Sequence, residues 1–403
     1  MTAASIPGAL LLDDATIETP YAFYRRLVAE APVWQAGDGE VFVVSGYDML
    51  VEAARRVDDF SSHLKYLLYR DEHGLPRRYD HRPSNLHVLA TADPPDHAVH
   101  RQLMLPAFTP ARLAALEKFV EQLCEGFVQS ALAGGRTEFM TTVADRIPIE
   151  VVSALIGFQE SDPDALLRAA FASTDILAGA IARDELVART RFSSETALWI
   201  VKQLEAASRE PSAGILGGLA AGVREGKIDG LSAMAILHIL LSAGGESTTS
   251  LIGNAVRLLA EDEGLQQRLR ADATLVPAFV EEVLRLEAPF RHHMRWVPDT
   301  TTLGDVTIPA GATVLLMWAA ANRDPAKFEH PDELILERPR RHVTFGSGIH
   351  TCIGNVLARM EARVVLQTLL RLTKAFVLDP ERPPKLVKSL AVRRHKGLSL
   401  LLA

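Results

Sequence analysis

The chain has 403 residues, 48% of them hydrophobic, which is enough for a large core and more than a typical domain of ~100–200 residues needs. Its net charge of −7, with 43 Lys and Arg spread along the chain, argues against nucleic acid as the main partner, which would favour a basic face. Two cysteines are too few for a secreted disulfide scaffold of this size and fit a reducing cytosol.

Residues 1–14 have no basic segment and only a short apolar stretch, so no signal peptide is expected. A helix is predicted over 20–30. A strand pair follows, Val33-Trp34 with 41–45, around a turn at 37–39, and then a helix over 48–56. Residues 60–93, rich in His, Tyr, Arg and Pro, read as a long irregular stretch, which in compact proteins is functional or disordered. From 94 to about 286 the pattern is almost wholly helical, with apolar residues recurring at three and four positions in 113–132, 164–171 and 185–207. The longest interior apolar run, 233–245, falls short of the ~20 residues of a bilayer span and reads as a buried helix. Strands return at 295–303, 306–308 and 313–317, with Pro309-Ala310-Gly311 as a turn. A loop over 330–351 leads into a last helix over 353–372, and 389–402 looks like a hairpin. No linker, low-complexity tract or repeat divides the chain. One domain over 1–403 is therefore expected, with a β-containing part about 1–60 and a helical part about 94–403. The expected location is cytoplasmic, without a membrane anchor.

Four segments carry chemistry. In Phe345-Gly346-Ser347-Gly348-Ile349-His350-Thr351-Cys352-Ile353-Gly354 a cysteine stands at the start of an apolar helix. A helix N-terminus favours a thiolate over a thiol. Gly346 and Gly348 let the chain turn tightly around the sulfur, and Gly354 clears space where a flat ligand can press close. A buried structural cysteine after a glycine-rich loop fits the same pattern. In the helix over 231–261, apolar on most faces, the middle reads Ala243-Gly244-Gly245-Glu246-Ser247-Thr248-Thr249. An acid and a hydroxyl beside a gap cleared by glycine suit oxygen binding and proton relay, or simply a polar kink. Glu282 and Arg285 share a helix face at a spacing of three, as an ordinary ion pair does. After Asp93-Pro94-Pro95-Asp96, His97 and Arg101 lie one turn apart and can bond an anion together. His97 and His100 form HxxH without a nearby carboxylate motif, and Cys124 sits among core positions.

Phe345-x-Gly346-x-x-His350-x-Cys352-x-Gly354 resembles the haem-ligand signature of the cytochromes P-450, and all four segments follow that family's order. The resemblance implies a mainly α fold with small β-sheets (α+β), its long central helix over haem b, and a soluble bacterial monooxygenase that inserts one atom of O2 into a small organic substrate. It implies Cys352 as iron ligand, with a thiolate that pushes electron density onto the metal. Haem contacts are implied at Phe345, Gly346 and Gly354, and propionate contacts at His97, Arg101, Arg295 and His350. Glu246-Ser247 stands where the family has an acid followed by Thr, so Glu246, Ser247 and Thr248 are the implied proton-delivery residues. Glu282 and Arg285 form its ExxR pair, with Arg338 as the third, structural member. Electrons are expected from a ferredoxin or flavodoxin with an NAD(P)H-dependent reductase, docking near Arg101, Arg112, Arg359 and Arg363. A peroxygenase using H2O2 and a non-catalytic haem sensor are the alternatives. Pocket-wall residues are expected at Ala243, Gly244, Phe290, Arg291, His292, His293, Leu390 and Ala391, along 66–88 and near 171–177. Arg291 with His293, or His292, is expected to steer a polar or anionic substrate group.

Overall fold

The computed structural model describes residues 6–37, 39–81, 86–190, 194–210 and 214–402. Helix Tyr21–Glu30 buries Phe23, Tyr24 and Leu27, the three- and four-residue spacing of an amphipathic helix. It leads into a four-stranded sheet ordered Val33–Gln35, Val41–Val44, Thr313–Leu316, His293–Trp296. The two central strands, VFVV and TVLL, are parallel and buried along their whole length, as continuous apolar runs should be. Val41, Val43 and Leu315 face a core with Leu27 and Met317, whereas Phe42, Val44, Val314 and Leu316 face Leu50, Phe60 and Trp318. The N-terminal strands thus depend on partners ~270 residues later.

The other layer is helical. The central helix, Gly230–Glu261, starts at Asp229, whose carboxylate accepts from Ser232 N. It packs on Arg146–Ile156 and Pro163–Asp175. The last helix, Asn355–Leu372, lies against Pro110–Leu132 and against Val276–Leu286, the helix that carries the ExxR pair.

Several local expectations change. The stretch 60–93 holds a hairpin, Tyr66–Arg70 with Pro76–Asp80, whose second strand (PRRYD) has no apolar alternation and is held by backbone pairing. Leu67 on this hairpin packs with Ile181 and Leu186 in a small separate cluster. Within the stretch read as helical over 185–207 lie helices Arg183–Thr190 and Ser194–Arg209, with 191–193 outside the described residues. The helical region after 94 is interrupted by strand Arg136–Glu138 and a π-helical turn, Met140–Ala144. The strand expected over 295–303 is split into His293–Trp296 and Thr301–Leu303. The C-terminal segment is not a local hairpin: Ser399–Leu402 lies between Phe376–Leu378 and Arg136–Glu138.

Candidate active site

The loop before Cys352 turns through Gly346 (φ +75°) and Gly348 (φ +74°), left-handed conformations that favour glycine. A Cβ on Gly348 would also stand 3.1 Å from the Ala54 carbonyl. Cys352 N–H donates to Phe345 O at 2.9 Å, and Asn355 Nδ2 donates to Cys352 O at 2.7 Å. The helix starts at Asn355, so Cys352 stands just ahead of it, not inside its first turn. Burial pushes the Cys352 thiol up, opposed by the Gly354 N–H and by the charges of Arg101 and Arg359. The side chain is nonetheless accessible, so at this depth it borders an interior space. A Cβ on Gly354 would meet only Cys352 Sγ, at 3.9 Å, which leaves room beside the sulfur.

His97, Arg101, Arg295, His293 and His350 converge near that space. The rings of His97 and His350 are 4.2 Å apart, and His350 Nε2 is 2.9 Å from Ser62 Oγ. Arg101 donates to Thr351 O at 2.9 Å. Arg295 is buried, lowered to about 10 by desolvation, and donates from Nη1 to the Met294 carbonyl at 2.8 Å. Burial, with the charge of Arg295, drives His350 down to about 3. Asp93 is the acid that acts on Arg295, and it is already engaged by Ser61, Ser62 and His63. The charges of Arg101 and buried Arg295, beside the ring donors of His97 and His350, fit a ligand that brings its own carboxylates. Together with the accessible thiol and the space beside Gly354, they fit a haem. His100 faces elsewhere, its Nδ1 accepting from Leu89 N–H at 3.2 Å.

Behind the loop, Glu282 takes both nitrogens of Arg285 (2.6 and 2.8 Å), Arg338 Nε (3.2 Å) and Ile335 N–H (2.9 Å). Arg285 also donates to the carbonyls of Asn322, Pro331 and Glu333. Burial raises the Glu282 carboxyl, but these bonds outweigh it and hold it below its ordinary value. The neighbouring Glu281, with no role in the sequence motifs, binds Arg359 (2.6 and 3.1 Å) and His342 (3.1 Å). Its place directly beside the ExxR acid is the signal by which it can be found.

The central helix departs from expectation. Glu246 is fully buried and turned away from the accessible face. Arg394 Nε donates to it at 2.7 Å and Thr174 Oγ1 at 3.1 Å. Its carboxyl is raised by burial, against the charge of Arg394. Ser247 lies with Ala243 on the accessible stripe and donates to Ala243 O at 2.6 Å; Thr248 is buried. The acid and the hydroxyl are therefore not a contiguous pair. Gly244 does not open a gap on the pocket side: its missing Cβ would stand 2.8 Å from Val152 Cγ2, so it admits helix Arg146–Ile156 closely. Gly245 likewise faces Ile149 and Ala170. Arg394, 148 positions from its partner, left no local signal in the sequence.

The expected pocket cations are also corrected. Arg291 is buried and donates to Ile17 O at 2.7 Å, pointing toward the N-terminal segment. His292 is buried, bonded to the Leu390 backbone, and lowered to about 4 by desolvation. His293 is accessible yet deep. Burial lowers it to about 3, and its Nδ1 accepts from Trp318 Nε1 at 2.7 Å, so the neutral ring carries its proton on Nε2. Phe290 lies 5.5 Å from it, ring to ring. Leu390 and Ala391 are buried and bonded through their backbones to Ala178 O and Arg291 N–H. Parts of the expected wall at 66–88 lie outside the described residues. On the last helix, Arg359 and Arg363 are not free: Arg359 pairs with Glu281 and Arg363 with Glu117.

A cytochrome P-450 family model matches residues 224–402. The chain is 38% identical over 389 residues, 96% of its length and 89% of the other's, to cytochrome P-450 144 of Mycobacterium tuberculosis. It is 30% identical over 374 residues, 91% of this chain and 73% of the other, to the beta-dihydromenaquinone-9 omega-hydroxylase of Mycobacterium bovis. Its structure superposes on CYP109E1 from Bacillus megaterium, solved with testosterone, at a TM-score of 0.86 and 27% identity, covering 96% and 99% of the two chains. The chain belongs to the cytochrome P-450 family, whose α+β fold it shares and whose haem-iron monooxygenase chemistry it carries. No helix among the described residues is long and apolar enough to cross a membrane.

Proposed function

We propose that the protein holds haem b on Cys352 and oxygenates a largely apolar substrate with electrons from a separate ferredoxin or flavodoxin and its NAD(P)H-dependent reductase. The observation that carries this reading is the accessible Cys352 thiol beside Arg101, the buried Arg295 and the paired rings of His97 and His350. His97, Arg101, Arg295 and His350 would hold the two propionates, with His293 Nε2–H beside them. Phe345, Gly346 and Gly354 would line the face next to Cys352. The bound iron supplies the reductive activation of O2 and the transfer of one oxygen atom. The chain's own part is to ease ionisation of Cys352 against the opposing effect of burial, through the Gly354 N–H and the charges of Arg101 and Arg359, and to place on the accessible stripe the Ser247 hydroxyl, whose proton rests on Ala243 O. Thr248 packs behind it. Glu246 serves as a proton reserve held by Arg394.

The substrate is inferred to have low polarity, because Arg291 and His292 are occupied by backbone carbonyls and leave a neutral His293 at the accessible space. The relatives named for a menaquinone and solved with a steroid agree with such a substrate. A second reading, oxygenation driven by H2O2, is favoured by the separation of Glu246 from Ser247. Turnover with H2O2 that matches turnover with the electron donors would select it.

The reduced, CO-bound protein is expected to show the strongly red-shifted Soret band of a thiolate ligand, and Cys352→Ser to abolish it. An unchanged spectrum in that variant would refute the ligand assignment.

A further inference from the structure

We propose that Glu281 is a positioning residue that balances the positive charge of Arg359 behind Cys352, and thereby sets the midpoint potential of the bound iron. This rests on the reading of Cys352 as the iron ligand. The consecutive acids of helix Val276–Leu286 serve different targets. Glu282 holds the residues around 331–338, as the ExxR resemblance implies. Glu281, for which that resemblance implies nothing, faces the other way, toward the cysteine loop and the last helix.

Its carboxylate takes Arg359 in a two-point grip, Nε to Oε1 at 2.6 Å and Nη2 to Oε2 at 3.1 Å. From Arg359 two arms reach the Cys352 peptide. In one, Nη1 donates to Asn355 Oδ1 at 2.9 Å, and Asn355 Nδ2 donates to Cys352 O at 2.7 Å. In the other, the guanidinium lies 4.3 Å from the centre of the Phe345 ring, and Phe345 O accepts the Cys352 N–H at 2.9 Å. A third tie runs to the loop. His342 Nδ1 accepts from Thr344 N–H at 3.3 Å, so Nε2 carries the proton shared with Glu281 at 3.1 Å. Arg359, gripped at two points, is the cation that reaches the Cys352 peptide, and Glu281 is its counter-ion. Burial pushes the Glu281 carboxyl up, but the bonds from His342 and Arg359 prevail and hold it at about 2. The counter-charge is therefore present throughout the working pH range.

The sign follows from electrostatics. An uncompensated cation near the thiolate favours the more electron-rich, reduced state, and an uncompensated anion favours the oxidised state. Redox titration of the purified holoprotein tests this. Glu281→Gln keeps the size and loses the charge, so the midpoint potential should move positive. Glu281→Asp keeps the charge and should stay near wild type. Arg359→Gln should move it negative, and the double variant should lie between the single ones. A purely structural role would move the Gln and Asp variants together, without regard to charge. The CO-bound spectrum of each protein reports the thiolate ligand separately. If every protein shows the thiolate band, but Glu281→Gln matches wild type or shifts in the same direction as Arg359→Gln, the charge-balance proposal is overturned. If wild type lacks the band, the Cys352 reading fails and takes this proposal with it. Should Glu281→Gln fail to load haem, the double variant decides: it must lie positive of Arg359→Gln, and the opposite order overturns the proposal.

Discussion

Behind Cys352 and behind the central helix, buried acids meet opposite fates. The Glu281 and Glu282 side chains are 8% and 5% exposed, yet both carboxyls are held below their ordinary values. Each receives several charge-assisted or backbone hydrogen bonds. Glu246 receives one cation and one hydroxyl and is raised; Asp145 has an Oδ1 with no partner among the described residues and is pushed up to about 7 by burial. Burial raises all four carboxyls, and the donors that reach each one decide whether it ends above or below its ordinary value. Glu281 and Glu282 are thus fixed charges that hold the segments around the Cys352 loop. The central-helix side supplies fewer donors and leaves its acids raised.

Four tests by substitution and one pH series probe this contrast. The largest effect is expected from Arg285→Leu, which removes two of the four hydrogen bonds to buried Glu282 and a donor from the carbonyls at 322, 331 and 333. Breaking a buried pair costs about 3–5 kcal/mol, read as a lower midpoint in urea unfolding and poor haem retention. An unchanged midpoint would mean that the cysteine side does not rest on this ion pair.

Ser247→Ala should leave haem and substrate spectra intact while product formation falls by roughly 10²-fold, the lower end for a lost proton-transfer group. Thr248→Ala, behind the accessible stripe, should be milder. The reverse order, measured as coupled product per NAD(P)H, would move the functional hydroxyl to Thr248.

Gly244→Ala tests whether that glycine admits a neighbouring helix or clears a ligand gap. With its Cβ 2.8 Å from Val152 Cγ2, overpacking should cost about 1–3 kcal/mol, and Val152→Ala should restore much of it. Lost ligand binding at unchanged stability would support the gap.

Asp145 supplies a smaller, pH-dependent effect. Its folded pKa, about 7, lies above the ordinary value of 3.8, so the folded state binds the extra proton. Its stabilising contribution is complete below about 4 and is lost as pH rises toward 7. In Asp145→Asn that loss is absent, so between pH 5 and pH 8 the melting temperature of the variant should fall less than that of wild type. Parallel curves would show that Asp145 does not titrate in that window.

The smallest effect is expected from Arg291→Leu on ligand choice. Since Arg291 bonds the Ile17 carbonyl, matched acidic and neutral ligands should keep their wild-type affinity ratio in spectral titrations. A selective loss of the acid would return Arg291 to the pocket.

Read alone, the amino-acid order determined the helical class, the central and last helices, the two apolar strands of the main sheet, and the Cys352 loop with its glycine turns. The spacing also paired Glu282 with Arg285, whereas Arg338 was implied by the family resemblance. These are local matters: a 3.6-residue period, a spacing of three along one helix, a left-handed glycine, or a motif contiguous in the chain. Tertiary structure alone decided that PRRYD is a strand, because its partner Tyr66–Arg70 supplies the pairing. It decided that Ser399–Leu402 joins Arg136–Glu138, that Glu246 belongs to Arg394, and that Gly244 faces Val152. Which way a buried acid turns depends on the nearest donor in space, and here that donor is 148 residues away, where no periodicity reaches.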